Sequence, residues 1–216
     1  MSKGGGSEWM GISDMMSVLM MVFLLISIAF MIDAQKDALK FKQEVGQYFD
    51  AHSMIYSKLD SAFKDDLVSW GAELDSSNLT IHFTGANFST GNKQPKAVFK
   101  KSLQEFFPRY LNVLRKPGVE EWIEEVCLEG HTDPRQAFID NMELSQDRAL
   151  SVLKIIRSPL DEAELKWTED VMTTTGYSES RPIEYNGKVL YSKSRRVDFR
   201  VVTALDSVIA AMKSSL

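Results

Sequence analysis

An uncharged apolar stretch near the N-terminus places the strongest limit on how this chain can fold. It runs from Met15 to Ile32, 18 residues without Asp, Glu, Lys or Arg. As an α-helix it is about 27 Å long, close to the thickness of the hydrocarbon core of a bilayer. It is too long for the apolar part of a signal peptide, and no small-residue cleavage site follows it. We therefore predict an uncleaved transmembrane helix over residues 12–32, preceded by a tail of residues 1–11.

A single carboxylate, Asp14, stands at the start of this stretch. An ionised side chain in hydrocarbon loses hydration that lipid cannot replace, so an acid at this depth is a functional candidate. The alternative is that Asp14 only caps the helix among the lipid headgroups. Trp9, Met10 and Ile12 precede it, so the apolar character begins earlier and Trp9 can anchor at the interface, which favours a functional Asp14.

Residues 33–77 are predicted to form a linker helix. Apolar or aromatic residues and one histidine alternate at spacings of four and three, at Val45, Phe49, His52, Tyr56, Leu59 and Phe63. This period of 3.5 is typical of a helix that buries one seam against a partner helix. A coiled coil with a second copy of the chain is the favoured interpretation, and a single amphipathic helix packed on its own domain or on the membrane is the alternative.

Composition excludes several function classes. The net charge is −5 and the chain has no basic tract longer than an isolated pair such as Lys100-Lys101, so we expect no direct nucleic-acid partner. The one cysteine, Cys127, permits neither an intrachain disulfide nor a cysteine metal cluster. We expect no cofactor and no metal.

Residues 78–216 alternate between strand and helix patterns. Alternating or apolar runs predict strands at residues 79–84, 122–128, 172–175 and 197–201. Helices are predicted from Pro95, with Pro108 kinking or dividing the helix, from a capping Ser145, over residues 161–170 and over residues 206–216. The fold class is therefore α+β: a transmembrane helix, a linker helix, and a two-layer α/β sandwich with a mixed sheet.

Four separated motifs in the second half of the chain form a specific pattern. They are Gly130-His131-Thr132-Asp133, the run from Asn141 to Val152, the run from Gly176 to Pro182, and Arg195-Arg196-Val197-Asp198. This pattern resembles the signature of OmpA-like peptidoglycan-binding domains, over residues 79–203. The resemblance implies an OmpA-like sandwich that binds the diaminopimelate stem peptide.

The chemistry of two motif residues agrees with such a ligand. A carboxylate at Asp133 can take an ammonium, and a guanidinium at Arg148, near the predicted helix start at Ser145, can take a carboxylate. The resemblance implies that both are ligand contacts, that Asn141 and Leu144 position the site, and that Arg196 is a secondary contact. The alternative is that Asp133 and Arg148 only pair with each other. The segment 134–140 lacks the glycine common in the family.

A catalytic set of His131, Asp133 and Ser145 is also conceivable. Ser145 is better explained as a helix cap, and the chain has only three histidines. We therefore expect no enzyme activity.

The whole arrangement resembles the B subunits of proton-driven stator units, of which the flagellar motor B subunit is the familiar member. Within this class the chain is most similar to B subunits of the Zorya anti-phage defence system. The resemblance implies a homodimer in contact with membrane lipid, surrounded by a ring of polytopic A subunits. It also implies that Asp14 carries protons, and Ser17, one turn on, can bond the protonated acid.

The orientation follows from the domain match. Lys36, Lys40 and Lys42 follow the span, and a count of basic residues alone would put the C-terminal part in the cytoplasm. A wall-binding domain must instead be periplasmic, so we predict a single-pass inner-membrane protein with a cytoplasmic N-terminus. The alternatives are a flagellar-type stator B subunit and, from another class, a passive peptidoglycan tether without ion flow.

Overall fold

The structure is a computed structural model that describes residues 5–84, 87–89 and 91–204, with side chains from Met15 onward. The chain divides into two units, Met1–Gln47 and Tyr48–Leu216, and each is described by itself. The helix predicted over residues 206–216 lies outside the described residues.

The N-terminal helix α1 is continuous from Gly5 to Phe63. Among the described residues it is the one helix long and apolar enough to cross a membrane, and the side chains of its apolar stretch are exposed. The predicted span and linker are therefore parts of one helix, which already begins within the predicted tail. The range contains no proline, which explains why nothing interrupts it.

The last turns of α1 belong to the core of the second unit. Ile55, Leu59 and Phe63 are fully buried there, whereas Phe49 is 54% exposed. For this part of the helix, packing on its own domain is the observed arrangement. The linker boundary at residue 77 is corrected, because α1 ends at Phe63 and a strand of the sheet follows within the range predicted as helix.

A mixed five-stranded sheet forms the centre of the second unit. Its strands are β1 (Ala72–Asp75), β2 (Thr80–Phe83), β3 (Ile123–Gly130), β4 (Met172–Gly176) and β7 (Val197–Thr203), in the order β1-β2-β7-β3-β4. The β3/β4 pair is parallel and the other pairs are antiparallel, which confirms the predicted mixed sheet. A separate hairpin joins β5 (Glu184–Tyr185) to β6 (Lys188–Val189). Neither β1 nor the hairpin was predicted.

The further helices in the described residues are α2 (Ala97–Leu114), α3 (Phe138–Arg157), α4 (Glu162–Val171) and the short α5 (Tyr191–Ser194). Pro108 lies inside α2 without dividing it. Proline has no N–H, so Pro108 leaves the carbonyl of Gln104, four residues earlier, without its helical donor. Gln104 is exposed, and water can bond this carbonyl instead. The predicted helix start at Ser145 is also wrong, since α3 begins at Phe138 and Ser145 lies in its interior.

Aromatic side chains join the helices to one face of the sheet. The ring of Phe106 on α2 lies 5.0 Å from Phe83 on β2, 5.1 Å from Phe199 on β7 and 5.1 Å from Phe63 at the end of α1. These edge and tilted contacts are the favoured aromatic geometries, and each ring also buries a large apolar area.

Helix α3 approaches the sheet most closely at two glycines. Gly130 on β3 and Gly176 on β4 are register partners. A Cβ atom on Gly130 would lie 2.0 Å from the carbonyl oxygen of Ser145, and one on Gly176 would lie 2.6 Å from the Ser145 hydroxyl. Only glycine leaves room for the helix backbone here.

We expect Gly130→Ala to lower the free energy of unfolding by about 2 kcal/mol or more, because backbone must move to admit the methyl group. For a chain of this size, that corresponds to a fall in Tm of about 4–8 °C. The measurement is thermal unfolding of the detergent-solubilised full chain, followed by circular dichroism. Gly46→Ala is the matched control, since a Cβ there meets nothing within 4 Å. An equal Tm for both variants would contradict the close approach.

Candidate functional site

A cavity of about 220 Å³ lies between the loop after β3 and helix α3. It is lined by Gly91, Thr132, Asp133, Arg135, Gln136, Asn141, Leu144, Arg148 and Arg195. Three of the four residues predicted to bind peptidoglycan, Asp133, Asn141 and Arg148, therefore meet in one place. The fourth, Arg196, does not line it.

Asp133 is buried, and both of its carboxylate oxygens are engaged by arginines. Arg135 donates from Nε to Oδ1 at 2.8 Å and from Nη2 to Oδ2 at 2.6 Å, and Arg195 donates from Nη1 to Oδ2 at 2.6 Å. Burial favours the neutral acid, but the hydrogen bonds from Arg135 and Arg195 outweigh it and lower the pKa of Asp133. The carboxylate is therefore ionised at neutral pH.

Arg148 is 1% exposed and is held by main-chain oxygens of a distant loop. Its Nε donates to the carbonyl of Asn92 at 3.1 Å and its Nη2 to that of Ser89 at 3.4 Å, while its guanidinium lies 4.9 Å from the centre of the Phe88 ring. Its Nη1 is buried and has no hydrogen-bond partner among the described residues. A buried donor without a partner is costly, and it marks a position that a ligand can satisfy.

The pKa of Arg148 depends on burial and on the charges of both Arg195 and Asp133. Burial and the positive charge of Arg195 lower the pKa of Arg148 to about 10, and the negative charge of Asp133 opposes this only in part. The group still carries its charge at neutral pH. The alternative of a simple Asp133–Arg148 pair is not what the described residues show, because the ion pairs of Asp133 are with Arg135 and Arg195.

The position of Arg148 in the helix corrects one part of the predicted site. Since α3 begins at Phe138, Arg148 lies about three turns into the helix, far from the free N–H groups of its first turn. The helix start therefore cannot assist Arg148 with an anion. The Ser145 hydroxyl instead donates to the carbonyl of Met142 and accepts the N–H of Ser178, so it is a packing contact and not a cap.

Asn141 positions the loop that carries Asp133. Its Nδ2 group lies within hydrogen-bond distance of the carbonyls of Asp133 and Gln136, each at 3.1 Å, and of the Glu179 carboxylate at 3.0 Å. The side chain of Asn141 thus holds both ends of the turn in place.

Arg195 lines the cavity, whereas the sequence prediction named its neighbour Arg196. Arg196 points to a different network, where its Nε donates to Asp198 at 2.8 Å and its Nη1 to the carbonyl of Arg181 at 3.0 Å. Arg195 directly follows α5 and lines the cavity, whereas Arg196 precedes β7 and faces the other network. The motif contains both arginines and gave no sign of which one it would be.

The opposite face of the sheet carries a polar layer, in which Glu129, His131, Arg196 and Asp198 are buried and His82 and Arg200 are half-buried. Asp198 lies 2.9 Å from His82 Nδ1 and 3.1 Å from His131 Nε2. Burial alone would raise the pKa of Asp198, but its contacts with the two histidines lower it far below the ordinary value. For His82, burial acts in the opposite direction and lowers the pKa. The contact with Asp198 is the stronger effect, and the pKa of His82 is therefore raised.

Three members of the polar layer could hold a metal by distance alone. Ligand atoms of Glu129, His131 and Asp198 all lie within 4.8 Å of one another. However, Arg200 donates to Glu129 at 2.6 Å and Arg196 to Asp198 at 2.8 Å, so guanidinium groups already occupy these carboxylates. The set does not fit a divalent cation. His131 faces this layer and not Ser145, so the two are not brought together as a catalytic pair.

Comparison with solved structures identifies the type of fold. No protein-family model matches the chain. A crystal structure of a MotB-like protein from Desulfovibrio vulgaris superposes with a TM-score of 0.52, at 19% identity, over 74% of this chain and 95% of that chain. The fold of the second unit is therefore the α+β fold of this MotB-like structure.

A sequence relative then defines the family. The Zorya protein ZorB of Escherichia coli strain Crooks is 39% identical over 208 residues, which cover 91% of this chain and 88% of the relative. The chain belongs to the ZorB family.

The raised pKa of His82 predicts a pH dependence of stability. Folding increases the affinity of this imidazole for a proton, so its contribution is fully present below about pH 6.5 and is lost as the pH rises through the folded-state pKa. We expect the free energy of unfolding, measured by urea titration at pH 6 and pH 8, to fall less in His82→Gln than in the wild type. His52→Gln, outside the polar layer, is the control and should keep the wild-type dependence. Equal pH dependence in His82→Gln and the wild type would refute the assignment.

Proposed function

We propose that this protein is the B subunit of a proton-driven inner-membrane motor of the Zorya anti-phage defence type, held to peptidoglycan by its C-terminal domain. The observation that supports wall binding is the cavity lined by ionised Asp133 and by buried Arg148, whose Nη1 has no hydrogen-bond partner among the described residues. Membership of the ZorB family favours the defence system over flagellar motility.

The ligand proposed for the cavity is the zwitterionic end of a diaminopimelate side chain in the wall stem peptide. Its carboxylate accepts from Nη1 of Arg148, and the hydroxyl of Thr132, also buried and without a partner among the described residues, lies in the same cavity to assist. Its ammonium binds Asp133. Two opposite charges held in a small site select for the zwitterion, because its carboxylate meets the guanidinium of Arg148 and its ammonium meets the carboxylate of Asp133.

In the membrane, we propose that two copies of α1 lie within a ring of polytopic A subunits. Asp14 stands at the start of the apolar stretch, where protonation removes its charge. Each charge moved across 100 mV is worth about 2.3 kcal/mol, enough to drive a conformational step in the ring. Ser17, one turn on, bonds the protonated acid. The N-terminus is cytoplasmic and the wall-binding domain periplasmic.

The wall contact is tested with purified peptidoglycan. We expect Asp133→Asn and Arg148→Lys to weaken sedimentation of the full-length protein with the sacculus by at least about tenfold, because each loses a hydrogen bond to a charged ligand group. Thermal unfolding of each variant checks that the domain still folds. Asp65→Asn, which changes an exposed carboxylate outside the cavity, is the matched control. Undiminished binding by both folded variants would contradict the wall-binding site.

The membrane role is tested by Asp14→Asn. We expect this isosteric change to abolish protection from phage in a plaque assay, while membrane insertion, assembly and peptidoglycan binding persist, because only a titrating group is removed. Asp33→Asn, just after the apolar stretch and exposed, is the control and should keep protection. Protection by Asp14→Asn at the wild-type level would leave a passive tether as the better description.

A further inference from the structure

Arg135 occupies the place on Asp133 that the ammonium of the proposed ligand would take. Its guanidinium forms a two-pronged contact with the carboxylate, 2.8 Å to Oδ1 and 2.6 Å to Oδ2. Together with Arg195 it leaves neither oxygen free. The lining of the cavity thus combines one acid with three arginines, so an incoming ammonium meets a carboxylate that is already neutralised.

The two arginines on Asp133 differ in how firmly they are held. The side chain of Arg195 is 20% exposed, whereas that of Arg135 is 48% exposed and reaches Asp133 from the surface of the same loop. The other contact of the Arg135 guanidinium is with the Tyr191 ring, 5.8 Å from its centre. A half-exposed guanidinium regains most of its hydration when it leaves, so its release costs far less than that of a buried one.

The backbone can stay in place during this exchange. The N–H of Arg135 donates to the carbonyl of Asp133 at 2.9 Å, and Asn141 bonds the same carbonyl. Rotation of the Arg135 side chain alone therefore frees Oδ1 of the carboxylate without moving the loop, while Arg195 stays hydrogen-bonded to Oδ2.

We propose that Arg135 is an intramolecular latch that imitates the ligand's ammonium and lowers the affinity of the site for the peptidoglycan stem peptide. The proposal rests on the proposed wall-binding function and adds regulation to the same site. With the latch closed, the observed Kd equals the intrinsic Kd divided by the fraction of molecules in which Arg135 has moved away. Removal of the latch raises that fraction and tightens binding.

The experiment measures the Kd of a soluble stem tripeptide ending in meso-diaminopimelate by isothermal titration calorimetry, with the full-length protein in detergent. We expect Arg135→Gln to bind about two- to fivefold more tightly than the wild type, the range that an exposed ion pair supplies. Arg135→Lys should also bind more tightly, because it keeps the positive charge but loses the two-pronged contact. Arg157→Gln, which removes a surface arginine paired with Glu169 on the far part of α3, should match the wild type.

Each outcome separates the latch from the site itself. Tighter binding by both Arg135 variants supports the latch, and tighter binding by Arg135→Gln alone reassigns the effect to net charge and overturns it. Unchanged or weaker binding by Arg135→Gln also overturns the latch, while loss of binding in Asp133→Asn still upholds the wall-binding site. Failure of the wild type and both Arg135 variants to bind refutes the latch and the proposed function together.

Discussion

The site depends on the close approach of one helix to the sheet. The backbone of α3 at Ser145 lies against Gly130 and Gly176, where any larger residue would displace it. This contact fixes the position of the part of α3 that runs from Asn141 to Arg148. Asn141 holds the loop of Asp133, and Arg148 reaches the cavity less than one turn beyond Ser145. A shift of the helix would move both at once. The two glycines therefore help to set the distance between the charged groups of Asp133 and Arg148.

Local patterns predicted the parts of the molecule whose signal lies within a short stretch of sequence. The alternating runs at residues 79–84 and 197–201 became β2 and β7, and the motif residues Asp133, Asn141 and Arg148 lie together in the lining of the cavity. Ser145 misled the prediction, because serine is favoured both as a cap and, as here, where a helix must approach glycine closely. The tail and linker boundaries were not predicted correctly either, because the sequence of α1, Gly5–Phe63, contains no proline to mark them.

The remaining features depend on contacts between distant residues. The seam ending in Leu59 and Phe63 has the spacing of a coiled coil, but spacing alone does not reveal which apolar surface covers it, and the domain's own core does so. The carbonyls that hold Arg148 come from Ser89 and Asn92, which no helical or strand period connects to it. Arg135 escaped notice because a single arginine in a loop carries no period at all.

The Nη1 group of Arg148, which has no hydrogen-bond partner among the described residues, has a thermodynamic consequence for the domain as a whole. A folded state with an empty cavity bears the desolvation cost of that donor, which the unfolded chain, open to water, does not. Any anion that fills the cavity in the folded state alone stabilises the fold by RT ln(1 + [L]/Kd). Occupancy of the cavity and stability of the domain are thus linked. The free energy of unfolding is higher for a domain that has bound its ligand than for one that has released it.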